Sequence, residues 1–142
     1  MKPSDPYSGF IRVRVAGLYI ENSKLLLVKL KSPITSEFIW TPPGGGVNFK
    51  ETLSEALVRE FEEETSLKVS IEHFHNTSEL IKDSFHILEF YYVVKKIDGI
   101  LKLGTDPEHS SEEQLLSDIG FFTKAEIQTM NVKPEFLKNI NF

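Results

Sequence analysis

Residues 45–67 read GGVNFKETLSEALVREFEEETSL, a glycine pair leading into a helix-patterned and strongly acidic run. Leu53, Ala56, Leu57 and Phe61 recur at helical spacing, which gives a helix one apolar stripe to bury. Thr52 with Glu55 three residues later makes a capping-box pattern, so a helix is predicted over 52–65. Glu51, Glu55, Glu60, Glu62, Glu63 and Glu64 crowd into this stretch, and Arg59 is its one arginine. The rest of the 142-residue chain carries equal numbers of acidic and basic residues, so the whole net charge of −5 resides here. Like charges at i,i+4 destabilise a helix by roughly a few tenths of a kcal/mol per pair, so packing gives no reason to gather them. A bound cation does, because a divalent ion is often the largest local charge in a site and Mg²⁺ takes oxygen ligands.

Glu60, Glu63 and Glu64 stand at i, i+3 and i+4, which places them on one helix face. Immediately upstream, Pro42-Pro43-Gly44-Gly45-Gly46 reads as a loop whose backbone approaches a ligand closely. Its carbonyls are hard donors for Mg²⁺, and the N–H groups of Gly45 and Gly46 can hold phosphate oxygens. A glycine loop beside a glutamate cluster points to magnesium-assisted chemistry on a phosphate. Without metal, the three carboxylates repel one another, so neutralising one is expected to stabilise the protein by roughly 0.5–1 kcal/mol.

The same stretch resembles the Nudix box, G-x5-E-x7-R-E-U-x-E-E-x-G-U with U apolar. Gly45, Glu51, Arg59, Glu60, Phe61, Glu63, Glu64 and Leu67 fall in register, and Ser66 stands where the box has its last glycine. Ser66 in that left-handed position costs about 1 kcal/mol, and Asn48 and Lys50 replace the Glu and Gly often found in the preceding loop. The resemblance implies an α/β/α sandwich with a mixed β-sheet. It also implies a Mg²⁺-dependent hydrolase, with Mn²⁺ as a substitute, that cleaves a pyrophosphate bond in a nucleoside diphosphate linked to another group. Nucleotide sugars, ADP-ribose, dinucleotides and nucleoside triphosphates all remain open as substrates. Glu60, Glu63 and Glu64 would bind the metal, with the Gly44 carbonyl as a further ligand, and Arg59 and Glu51 would hold the ligands in place. The general base in such proteins is a box glutamate such as Glu63 or a carboxylate near the C-terminal strand; of Glu108, Glu112 and Glu113, Glu113 is favoured. The competing reading is a non-catalytic nucleotide-binding sensor on the same scaffold.

Outward from the box, Phe10–Ile20 alternates in polarity and reads as a half-buried strand, with Arg12 and Arg14 as candidates to reach a phosphate or a base edge. Lys24–Lys31 reads as a strand buried on both faces, and 38–40, 68–75, 84–96 and 119–122 as further strands. Short helices are predicted to start near Lys124 and Pro134. Trp40, Phe85 and Tyr91 are candidates for stacking on a base, with core packing the commoner role. The length fits one domain over 1–142. The absence of cysteine excludes disulfides and thiolate metal sites. No run approaches the ~20 apolar residues of a membrane span, and residues 1–6 lack the apolar core of a signal peptide. A cytoplasmic protein acting on a small nucleotide is therefore expected. Mild acidity argues against a nucleic-acid polymer as partner, and a homodimer agrees with the resemblance.

Overall fold

The computed structural model describes residues 9–32, 34–104 and 116–142. Seven strands form one mixed sheet: β1 (Ile11–Glu21), β2 (Lys24–Lys31), β3 (Phe38–Thr41), β4 (Gly44–Gly46), β5 (Lys68–Lys82), β6 (Phe85–Asp98) and β7 (Leu116–Thr123). The main path runs β3-β2-β1-β6-β5, with β4 joined to β1 and β7 to β2. Among the strands of the described residues, β1 and β6 alone pair in parallel, from Ile11 opposite His86 to Tyr19 opposite Val94.

β1 and β2 are hydrogen-bonded only beside their shared turn, at Ile20–Leu25 and Glu21–Lys24. Beyond it they splay. The freed edge of β1 is taken by β4 and that of β2 by β3, and this divergence opens the cleft described below.

Both faces of the sheet are covered. Helix α1 (Leu53–Thr65) lays Ala56, Leu57 and Phe61 on Val15, Tyr19, Leu26, Val69 and Val94. On the opposite face, Ala16, Leu18, Leu25, Leu27 and Tyr91 pack against Val132, Leu137 and Ile127 of α2 (Lys124–Gln128). This is the expected α/β/α sandwich. Each fully buried leucine stabilises the fold by about 1.5–3 kcal/mol. The alternation in β1 reads as half-buried, yet Val15 through Tyr19 are all buried. A strand at the sheet centre with helices on both sides has no solvent face, and side chains of period two simply serve two cores.

The Thr52 hydroxyl accepts from the Glu55 N–H at 3.0 Å, which satisfies one of the unpaired donors at the start of α1. At the other end Ser66 adopts φ 64° and ψ 11° and its N–H donates to Glu62 O. The segment after β6 then supplies two more donors to the last carbonyls: Lys102 N–H to Thr65 O at 2.9 Å and Gly104 N–H to Glu64 O at 2.7 Å. The predicted helix near Pro134 is a short 3-10 turn, Glu135–Lys138. Strand β5 runs to Lys82, past the predicted end at residue 75, and β6 reaches Asp98.

Candidate active site

The glycine stretch predicted as a loop is strand β4, registered as Gly44, Gly45 and Gly46 opposite Ala16, Val15 and Arg14. The reason is steric. A Cβ on Gly44 would lie 2.1 Å from Val15 O, and one on Gly45 2.4–2.6 Å from the carboxyl atoms of Glu60. Only a strand without side chains fits between β1 and α1. The ladder bonds Gly17 N–H to Pro43 O and Val47 N–H to Val13 O flank this pairing. Antiparallel ladders alternate, so Gly44 and Gly46 turn their polar groups away from β1. Accordingly Gly44 N–H donates to Glu64 Oε1 at 2.9 Å, and Gly46 O accepts from Arg59 Nη2 at 3.1 Å. The Gly44 carbonyl turns to the same side as its N–H, towards Glu64.

Arg59 is the hub of the acidic cluster. Its Nε and Nη2 grip Glu51 at 2.8 and 2.9 Å, a two-point contact that also fixes geometry. Its Nη1 donates to Glu60 at 2.8 Å and to Glu63 at 3.4 Å. The hydrogen bonds from Glu51 lead in raising the Arg59 pKa above its ordinary value, with burial opposing and Glu60 adding. Reciprocally, the Arg59 hydrogen bonds hold the Glu51 carboxyl below its usual range. Glu60 and Glu64 are 6% and 7% exposed, and Glu62 is fully on the solvent side.

Beside this cluster lies a cleft of about 670 Å³. It is lined by Gly44, Gly45, Gly46, Glu60 and Glu64, by Arg12 and Arg14, and by Leu30, Ile39, Leu80 and Ile87 among others. Arg12 covers Gly46, where a Cβ would meet its Nη2 at 2.7 Å. Arg14 Nε donates to Glu89 Oε2 at 2.8 Å. The Tyr91 hydroxyl donates to Glu89 Oε1 and accepts from Ser78 Oγ at 3.4 Å. Burial, and then the Glu89 charge, push the Tyr91 hydroxyl well above its ordinary pKa. Burial works against the Arg14 charge, but Glu89, then Glu64 and Glu60, outweigh it and raise the pKa.

The donor set suits a hard divalent ion: buried carboxylates and a backbone carbonyl, with no thiolate. Among the described residues, however, no three acidic or histidine groups are gathered at metal-binding spacing. Arg59 holds Glu60 at 2.8 Å and Glu63 at 3.4 Å. Glu60 and Glu64 line the cleft, whereas Glu63 is not part of its lining. Glu113, with Glu108 and Glu112, lies outside the described residues. Of the aromatic candidates, Tyr91 is buried against Phe136 (centroids 4.8 Å apart) and Trp40 packs on Phe122 (4.7 Å). Phe85 lies in the cleft wall. Sequence reasoning missed Glu89. The available signal was one carboxylate in the otherwise apolar and aromatic run 87–94 of β6.

Three comparisons with known proteins agree. The chain matches the family described as NUDIX domain over residues 11–139. It is 34% identical over 101 residues to an ADP-ribose pyrophosphatase of Methanocaldococcus jannaschii, covering 69% of this chain and 59% of that protein. It is 43% identical over 70 residues to an m7GpppN-mRNA hydrolase of Danio rerio, covering 48% of this chain and 23% of that one. The chain thus spans less than two thirds of either relative. A solved NUDIX hydrolase from Nitrosomonas europaea superposes with a TM-score of 0.72 at 19% identity, over 92% of this chain and 85% of that one. At that identity the likeness speaks for the fold.

Proposed function

The chain belongs to the NUDIX family, and from that premise we propose that it is a Mg²⁺-dependent hydrolase of a pyrophosphate bond in a nucleoside diphosphate derivative. The observation that carries the reading is the cleft itself. Its lining brings Glu60, Glu64 and the three glycines together with Arg12 and Arg14, and adds apolar Leu30, Ile39 and Ile87 beside polar Glu37, Lys82 and Lys133. That mixed lining suits a diphosphate joined to a less polar group. Similarity to an ADP-ribose pyrophosphatase makes ADP-ribose the first substrate to try.

Glu60, Glu63, Glu64 and the Gly44 carbonyl would hold the metal, which supplies charge neutralisation at the phosphate oxygens and a water of lowered pKa. Arg59, anchored on Glu51, holds Glu60 and Glu63 in reach and offsets their mutual repulsion. Arg12 and Arg14 bind phosphate oxygens, as does the N–H of Gly46; the expected role of the Gly45 N–H falls away, because the register turns that group to Val15 in the ladder with β1. Glu63 or Glu113 takes the proton from the attacking water. The test is a panel of ADP-ribose, nucleotide sugars, dinucleotides and nucleoside triphosphates in isotopically labelled water, with Mg²⁺, with Mn²⁺ and in excess chelator. Turnover that disappears in chelator and returns with either ion is expected, and undiminished turnover in chelator would overturn the reading. Nucleotide binding with no turnover on any substrate would favour a non-catalytic nucleotide-binding sensor.

A further inference from the structure

Beside Arg14 in the cleft lining, Ser78, Glu89 and Tyr91 form a relay that the box does not contain. Ser78 on β5 donates to the Tyr91 hydroxyl, Tyr91 donates to Glu89, and Glu89 accepts from Arg14 Nε. The parallel register sets Arg14 directly opposite Glu89, and the two side chains are 27% and 14% exposed. Among the described residues, Arg14 gives this one hydrogen bond, so its two Nη groups remain available to the cleft it lines. A guanidinium ordinarily swings on a flexible stem. Here one edge is fixed by a carboxylate, which is in turn held by the Tyr91 hydroxyl, so the remaining donors have little freedom left to lose on binding.

We propose that Glu89 is a positioning residue for substrate: acting through Arg14, and braced by Tyr91 and Ser78, it presents a rigid two-donor face to a phosphate of a nucleoside diphosphate or triphosphate. This rests on reading the cleft as a nucleotide site. The test is calorimetric titration of ADP into the full chain in millimolar Mg²⁺, which needs no turnover. Arg14→Ala should weaken ADP by about 10–100-fold, as for the loss of hydrogen bonds to a charged group. Glu89→Gln should weaken it about 3–10-fold, and Tyr91→Phe, which keeps the ring packed on Phe136, about 2–5-fold. The deciding measurement is the double-mutant cycle. In an Arg14→Ala background, Glu89→Gln and Tyr91→Phe should have no further effect on ADP. Equal weakening in both backgrounds would overturn the proposal, because a residue supporting only the fold does not need Arg14 to act. Failure of the wild type to bind either ADP or inorganic pyrophosphate would overturn it too. Coupled ADP binding in a protein that turns over no substrate would sustain the positioning role while removing the hydrolase reading.

Discussion

Replacing Glu63 and Glu64 separately by glutamine distinguishes metal binding from structural bonding. In chelator, Glu63→Gln loses an i,i+4 contact to Arg59 at 3.4 Å between side chains 27% and 28% exposed, worth about 0.3–0.5 kcal/mol. It also relieves repulsion from its acidic neighbours by a similar amount. The net change should fall within about 0.5 kcal/mol of zero. Glu64→Gln differs, because Oε1 accepts the buried Gly44 N–H at 2.9 Å. Exchanging a charged for a neutral acceptor there, and losing attraction to Arg14, should cost about 1–2 kcal/mol. The simple expectation that neutralising any of the three stabilises the metal-free protein therefore gives way, since Arg59 and Gly44 already offset the repulsion. In Mg²⁺ at a hundredfold excess over Kd, the wild type should gain about 2.7 kcal/mol, and both variants less. Urea unfolding followed by fluorescence, in chelator and in Mg²⁺, reads all of these quantities. If Mg²⁺ stabilised Glu63→Gln as much as the wild type, Glu63 would not be a ligand. If Glu63→Gln lost more than about 1 kcal/mol in chelator, the assigned Arg59 contact would be too weak an account of its role. Glu62→Gln is the control and should change neither curve.

Ser66→Gly should raise stability by about 0.5–1 kcal/mol, because it removes a left-handed strain of roughly 1–2 kcal/mol against a smaller unfolded-state entropy loss. Ser66→Ala keeps the strain, so thermal melts of the two side by side check the cause. Arg59→Lys keeps the charge but loses the two-point grip on Glu51; steady-state kinetics should show kcat falling about 10–100-fold, as for an outer-shell partner of metal ligands. The Glu51 carboxyl is held below its ordinary value of 4.5 by Arg59. Its contribution is therefore present above the unfolded value and lost as pH falls through the lower folded one. Unfolding free energies measured from neutral pH down through about pH 4 should fall less steeply for Glu51→Gln than for the wild type.

The parts of the fold legible in the sequence are those where a local period and a buried face coincide. Helix α1 begins one residue from its predicted start because Thr52 caps it and Leu53, Ala56, Leu57 and Phe61 mark its face. Strand β2 matches its predicted bounds because its core from Leu25 to Val28 is buried on both sides. Strand β5 outran its prediction because it is an edge strand. Its residues 72–75 and 79–82 face solvent, so no apolar alternation was available to carry the pattern on. Three consecutive glycines carry no polarity pattern either, and β4 became visible only as a contact between β1 and α1. The Arg14–Glu89 pair joins residues 75 apart in sequence, and its register exists only once β1 and β6 lie parallel.

The acidic helix and the splayed strands explain each other. A continuous β1–β2 ladder would leave no cleft, and Glu60 and Glu64 would face a closed sheet edge. Ending that ladder after Ile20–Leu25 frees one edge of β1, whose unpaired backbone groups must then find partners. Residues 44–46 supply them within the narrow gap, because no side chain intervenes between β1 and the Glu60 carboxylate. The same strand gives its outward N–H to Glu64 and its outward carbonyl to Arg59. The backbone that closes the sheet thus also neutralises part of the helix charge and aligns both glutamates along the cleft. A side chain larger than hydrogen at position 45 would therefore disturb the sheet edge and the Glu60 carboxylate together, so stability and metal affinity should fall in the same variant.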